Sequence, residues 1–194
     1  APSQFLKKFV NKDSDIDKVI VSMGRLQKKK GFDILIDSFN IVIQTYPNAK
    51  LFIAGQDEGE KENLLLQINK LKLKESIFLV GPISGQDKVD FLANADLFCL
   101  PSHNENFGIV YAESLAAGTP IIASTNTPWN EVEDYDCGKW VENSIKETSI
   151  AINKILKQNR EVLRNNSKKL ALNYDWANIA VEFKNLFKEM VNNK

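Results

Sequence analysis

"SIFLVGPISGQDKVDFLANADLFCLPS", residues 76–102, contains a complete folding unit. "SIFLVG" (76–81) and "LFCLPS" (97–102) are short apolar runs closed by Gly, Pro or Ser, as expected of strands buried on both faces of a parallel sheet. Between them "QDKVDFLANA" (86–95) spaces its apolar residues at three and four, the pattern of an amphipathic helix. Strand, helix and strand in this order form a β-α-β unit, whose crossover is right-handed.

The same alternation extends to both sides. "KVIVSM" (18–23), "KLFIAG" (50–55) and "PIIAS" (120–124) add three further strands. "FDILIDSFNIVIQTY" (32–46) sets Phe32, Leu35, Ile36, Phe39 and Ile43 on one helical stripe, and "EKENLLLQINKLKL" (60–73) repeats Leu and Ile at helical spacing. The pattern predicts an α/β fold: a Rossmann-like parallel sheet with helices on both faces and a ligand site beyond the carboxyl ends of the strands. "TNTPWNEVEDYDCGKWVEN" (125–143) reads as a polar loop. Helical patterns follow at about 144–157, 160–172 and 176–191, the last with Ile179, Phe183, Leu186, Phe187 and Met190 on one face.

With 194 residues the chain has the size of one α/β domain. Residues 1–17, polar and charged, read as a linker remnant or the start of a trimmed chain, which leaves 18–194 as the domain. Its 25 basic and 25 acidic residues cancel, so no global field attracts nucleic acid or an anionic membrane, and any bound anion must be met by local groups. There is no uncharged apolar run of about 18 residues and no signal-peptide pattern, and the expected location is cytoplasmic. Cys99 and Cys137 lack the spacing of a metal site and read as plain thiols. The single histidine, His103, reads as a surface residue.

Two stretches carry chemistry. In "MGRLQKKKGFD" (23–33), Gly24 permits close backbone approach, Arg25 is a permanently charged forked donor, and Lys30 stands just before Gly31 at a helix start. A helix amino terminus with Arg and Lys suits a phosphate or diphosphate. The spacing is not that of a Walker loop, and "GQDEGE" (55–60) is not a dinucleotide fingerprint. In "ENFGIVYAES" (105–114), Gly108 is expected to open a helix that leaves the amides of Phe107, Gly108 and Ile109 free toward the same cleft. Glu105 precedes that helix and Glu113 lies in its second turn, so their roles differ. Glu113 is placed to accept hydrogen bonds from a ribose diol, and Glu105 stands nearer whatever the diphosphate carries.

"PSHNENFGIVYAESLAAGTPIIAS" (101–124) resembles the signature region of the group 1 glycosyltransferases (family 4, retaining, GT-B fold), whose donor-binding half carries two glutamates eight positions apart; Glu105 and Glu113 match them. "GRLQKKKG" (24–31), residues 78–102 and "TPWNEVEDYDCGKWV" (127–141) resemble further family segments in the same order, the last as seen in members that build bacterial polysaccharides. The resemblance implies the carboxyl-terminal half of a GT-B fold. It implies Arg25, Lys30 and Glu105 as catalytic residues and Gly24, Arg25, Lys30, Gly81, Ile83, Glu105, Asn106, Phe107, Gly108, Ile109 and Glu113 as donor-binding residues, with backbone near Gly81 and Ile83 meeting the base. The implied substrate is a nucleotide diphosphate sugar, with no metal and no separate cofactor.

On this reading the acceptor, a saccharide or a lipid-linked glycan, is bound through an amino-terminal domain outside the chain, and the full enzyme works at the inner face of the cytoplasmic membrane in lipopolysaccharide or capsule synthesis. Retention of configuration by same-face attack or through a covalent adduct stays open. The alternative is a half-enzyme or non-catalytic nucleotide-sugar module that needs a partner chain. A GT-B-like epimerase would lack the "ENFGIVYAE" spacing, and a phosphorylase would need a lysine for pyridoxal phosphate.

Overall fold

A computed structural model describes residues 16–175. The helix expected at 176–191 and nearly all of the segment 1–17 lie outside these residues. Six parallel strands form one sheet in the order β3-β2-β1-β4-β5-β6. They are β1 (Val19–Met23), β2 (Lys50–Ala54), β3 (Ile77–Gly81), β4 (Leu97–Leu100), β5 (Ile121–Ser124) and β6 (Gly138–Val141). Strand registers are parallel throughout, as in Ile20 opposite Leu51 and Val21 opposite Phe98. This is the doubly wound, Rossmann-like arrangement, and its order reverses between β1 and β4.

The helices are α1 (Phe32–Val42), α2 (Lys61–Lys70), α3 (Gly85–Ala93), α4 (Ile109–Ala116), the short α5 (Glu131–Asp134), α6 (Ile145–Leu156) and α7 (Arg160–Ala171). Contacts group α1, α2 and α6 together, and α3, α4 and α7 together. The central strands are apolar because helices cover both of their faces: Ile20, Val21, Leu51, Phe52, Phe98 and Ile122 are all 0% exposed. Side chains close several helix starts. Ser144 Oγ accepts from the Glu147 amide at 3.2 Å, and Asn159 Oδ1 accepts from the Glu161 and Val162 amides. Before α2, Asp57 Oδ1 accepts from the amides of Gly59, Glu60 and Lys61, which holds its carboxyl below the usual range.

The five expected strands and the helices at 32–46, 60–73, 86–95, 144–157 and 160–172 are present, most with trimmed ends, the third helix starting one residue earlier at Gly85. The segment 125–143 departs from the loop expected there. It forms α5 and the edge strand β6, paired to β5 from Ile121 opposite Gly138 to Ser124 opposite Val141. Lys139, Trp140 and Val141 are only half-buried, as suits an edge, so the strand lacks the apolar run that marks the central ones.

At the point where strand order reverses, the turns after β1 and β4 press together. Gly31 has φ +68°, and a Cβ built on it would overlap the carbonyl oxygen of Pro101. Glycine meets both demands at once: it enters the left-handed region freely and leaves room for a backbone oxygen. Gly31→Ala should therefore cost about 2–4 kcal/mol, from left-handed strain plus overlap. Urea denaturation checks this, and a loss below about 0.5 kcal/mol would mean the two turns do not meet as described.

Both cysteines are fully buried and free. Burial pushes the Cys99 thiol far above its usual range. Burial, with a smaller contribution from Asp136, pushes Cys137 up to about 12. A thiol that ionises later in the folded than in the unfolded chain supports stability below the unfolded thiol range. That support fades as pH rises from about 8.5 toward the folded value. We expect neither thiol to react with a disulfide reagent at mildly alkaline pH in the native chain, and both to react in denaturant. Stability should also fall more gently with alkaline pH in a Cys137→Ala variant.

Candidate functional site

Beyond β1 the chain keeps company with β2 for several residues. The Gly24 amide donates to Ala54 O at 3.0 Å and the Leu26 amide to Gln56 O at 2.8 Å. A 3-10 turn at Lys28–Lys30 then leads through Gly31 into α1. Across the sheet reversal, the turn after β4 is bonded to this one: the His103 amide donates to Lys29 O at 2.7 Å. The Ser102 hydroxyl lies 3.0 Å from Lys29 O, 3.2 Å from Asn104 O and 3.1 Å from Glu105 Oε1, and can donate to one at a time.

These bonds bring Lys30 onto Glu105. The Lys30 ammonium donates to Glu105 Oε1, and each side chain is 13% exposed. Gly24 makes space for the lysine, since a Cβ there would sit 3.3 Å from Lys30 Cε. Glu105, Asn106, Phe107 and Gly108 line an open cavity of about 290 Å³ together with Lys29 and Asn104.

At the same cavity α4 begins without a side-chain cap; its N-cap is Gly108, at φ 74°. No described residue accepts from the amides of Phe107, Gly108 or Ile109. The left-handed turn needs glycine for packing as well as for φ. An added Cβ would lie 2.7 Å from the ring of Tyr111, which is buried and anchored by its hydroxyl to Leu100 O at 2.7 Å. Burial, followed by the nearby charge of Glu105, raises the Tyr111 pKa well above its usual range, so this hydroxyl stays a donor.

The remaining expected residues sit around this centre. Arg25 is more than half exposed and paired to Glu58 at 3.1 Å, while Gln27 also bonds Glu58. Glu113 is paired with Lys88 of α3 and lines a separate, largely apolar cavity of about 320 Å³ with Lys88, Val89, Leu92, Ala116 and Ala117. Gly81, at φ 78°, ends β3, and half-buried Ile83 lies in the turn that leads to α3, the helix that carries Lys88. Ile109 is exposed on the first turn of α4. The structure thus gathers Gly24, Lys30, Glu105, Asn106, Phe107 and Gly108 into one centre. Gly24 and Lys30 join it through the pair with Glu105 rather than by lining the cavity, and Arg25, Gly81, Ile83, Ile109 and Glu113 also lie outside that lining.

Sequence reasoning missed Lys29, Asn104, Glu58, Lys88 and Trp129. Glu58 and Lys88 meet partners far away in the chain, and Lys29 and Asn104 reach the cavity from two turns that only the fold brings together, so none leaves a local pattern. Trp129, in the segment read as a loop, is wholly buried and donates from Nε1 to Phe107 O at 2.6 Å. His103 is exposed as expected, with Nδ1 3.1 Å from Asn143 Nδ2. Among the described residues no helix is long and apolar enough to cross a membrane.

A doubly wound sheet with a lysine-carboxylate pair and an uncapped helix start at its reversal point defines a crevice suited to an anionic ligand. The chain belongs to the family described as glycosyl transferases group 1, whose model matches residues 3–170. It is 34% identical over 114 residues to a mannosylfructose-phosphate synthase of Agrobacterium fabrum, covering 55% of this chain and 25% of that protein. It is 33% identical over 181 residues to an uncharacterised glycosyltransferase of Methanocaldococcus jannaschii, covering 90% of this chain and 45% of that one. Among solved structures it is similar to HepE of Anabaena in complex with UDP, with a TM-score of 0.78 and 25% identity over 88% of this chain and 48% of that chain. The chain therefore spans less than half the length of each of these proteins. Its fold is the Rossmann-like half of the GT-B architecture expected from the sequence.

The pairing of Lys30 with Glu105 is open to a direct test. In a double-mutant cycle of Lys30→Ala and Glu105→Ala on the ligand-free chain, the two single changes should together cost more than the double change. The expected coupling is about 1–3 kcal/mol, because each leaves a poorly solvated charge behind. A coupling near zero in urea denaturation would show that the two do not pair.

Proposed function

We propose that this chain is the donor-binding domain of a retaining glycosyltransferase that moves a sugar from a nucleotide diphosphate sugar to a saccharide or lipid-linked acceptor. On this reading the acceptor is bound by a second domain or a partner chain, and the product belongs to bacterial surface polysaccharide, made at the inner face of the cytoplasmic membrane. The observation that carries the proposal is the meeting of Lys30, Glu105 and the free amides at the start of α4 in one crevice at the sheet reversal. Family membership and the likeness to HepE, a protein crystallised with UDP, support it.

The roles follow from charge. The diphosphate takes Lys30 and the amides at Phe107, Gly108 and Ile109, where the helix start adds a positive end of its dipole. Arg25 is held only by an exposed pair with Glu58, an interaction worth about 0–1 kcal/mol, so it can swing to the same phosphates at little cost. Once Lys30 turns to phosphate, Glu105 is free to accept hydrogen bonds from hydroxyls of the donor sugar. Glu113 accepts from the ribose diol after parting from Lys88, and backbone at Gly81 and Ile83 meets the base.

As the bond between the anomeric carbon and the diphosphate oxygen breaks, negative charge grows on the leaving phosphate. Lys30 and Arg25, once turned to the phosphates, receive it together with the α4 amides, and donors held around the leaving group act strongly there. The reading calls for no metal, since these groups supply the positive charge.

Titration with UDP, GDP, ADP and their common sugar conjugates, followed by amide resonances, tests the proposal. We expect one nucleotide to shift a connected set that includes Gly24, Gly108 and Glu113. Lys30→Ala and Glu113→Ala should each weaken that binding by about tenfold or more, the loss of a hydrogen bond to a charged group. If no nucleotide binds at millimolar concentration, the donor-domain reading fails.

A further inference from the structure

The segment 127–141 reaches the centre of the site through one hydrogen bond. Trp129 Nε1 donates to the carbonyl oxygen of Phe107 at 2.6 Å. The peptide between Phe107 and Gly108 is trans, so its C=O and the N–H of Gly108 point in opposite directions within one plane. Trp129 is 0% exposed. A carbonyl drawn toward it points into the protein, and the N–H of Gly108 points outward, where Phe107 and Gly108 line the cavity. From this geometry we infer that Trp129 is a positioning residue. It fixes the plane of the peptide that presents the Gly108 amide to the donor's diphosphate, without itself touching the donor.

The indole is held on all sides, as a positioning group must be. Its ring lies 5.1 Å from Phe107, 5.6 Å from Tyr111 and 4.9 Å from Tyr174, centroid to centroid. Tyr174 in turn lies 5.5 Å from Phe107 and bonds Glu131 Oε2 at 3.1 Å. Behind it the backbone of the same loop is pinned to the sheet. Trp140 of β6 donates from Nε1 to Thr127 O at 2.8 Å, and the Thr127 hydroxyl donates to Ser124 O, at the end of β5, at 2.7 Å. A fixed path therefore runs from strands β5 and β6 through Trp129 to the amide at the mouth of α4.

The alternative for the free peptide is rotation about the bonds flanking Phe107 and Gly108, which glycine at 108 permits readily. With no described partner for the Gly108 amide, the indole N–H is what selects one orientation before a ligand arrives. Such preorganisation strengthens binding by lowering the ordering cost on association.

This inference rests on the donor-binding reading, and the experiment separates the two. Trp129→Phe keeps an aromatic ring in the cluster and removes the N–H. A second variant, with benzothienylalanine at position 129, keeps the shape of the indole and replaces N–H by sulfur, so that loss of folding in the first does not end the test. The probes are the diphosphate nucleotide that the unaltered chain binds best among UDP, GDP and ADP, and the matching nucleoside without phosphate.

We expect the variant to lose affinity for the diphosphate about three- to tenfold, the range of one hydrogen bond. Nucleoside binding should stay unchanged, and the Gly108 amide resonance of the free chain should move. Equal weakening of nucleotide and nucleoside would mean general loosening of the loop and overturn the inference. So would undiminished diphosphate binding in a folded variant, and in both cases the donor reading would stand. An unaltered chain that binds none of the three nucleotides would instead overturn the donor reading and this inference with it.

Discussion

The site depends on a contact between two backbones at the place where the sheet reverses. Gly31 gives up a side chain because the carbonyl oxygen of Pro101 fills its space. The hydrogen bonds from His103 and Ser102 to Lys29 hold the two turns at that distance. Strand pairing alone would leave the turns after β1 and β4 side by side but free to splay. Drawn together, they set Lys30, from one turn, against Glu105, from the other. A pair of opposite charges with this little exposure is stable only when each has its partner, so the backbone contact and the ion pair support one another.

The charge balance of the whole chain repeats at small scale in the site. Lys30 is paired with Glu105, Arg25 with Glu58, and Lys88 with Glu113. On the donor-binding reading, the anionic ligand meets Lys30 and Arg25 already answered and reaches them by exchanging partners. The gain per contact is then the difference between two pairings, which is smaller than either alone. On that reading the exchange would also confer selectivity, since a ligand that offers phosphate to the lysine without hydroxyls for the released carboxylate leaves one charge unsatisfied.

Much of this was legible in the sequence because it follows from local periodicity. The central strands are buried on both faces and so read as unbroken apolar runs, and α1 and α6 show their stripes plainly. Gly24, Lys30, Glu105 and Gly108 were legible for a similar reason: each marks a turn end or a helix start. Strand β6 was not, because an edge strand is half wet, and Gly138 and Lys139 carry no strand pattern until β5 is beside them. The pairing of Lys88 with Glu113 was equally hidden. It joins two helices 25 positions apart through side chains, and no spacing rule within either helix marks it. Trp129 was hidden by a different cause: a buried indole in a polar stretch looks like an isolated hydrophobe, and its meaning lies in a carbonyl 22 positions away.

The donors in the crevice fall into two kinds, and the division explains the fold's investment in residues far from it. Lys30 is a side-chain donor already paired with a carboxylate, as is Arg25 outside the cavity lining. The amides at the start of α4 have no partner to leave among the described residues, but a free amide on a glycine hinge has many directions available. Holding one direction requires a rigid support, and a polar side-chain cap would occupy the very N–H that the donor-binding reading assigns to the ligand. Supporting the peptide from its carbonyl side avoids that conflict. The support must then come from inside the protein, from a buried donor that accepts nothing in return, and the indole N–H is such a group. A tryptophan held by a cluster of rings, on a loop tied to two strands, thus meets at Phe107 a requirement that no residue within α4 could meet.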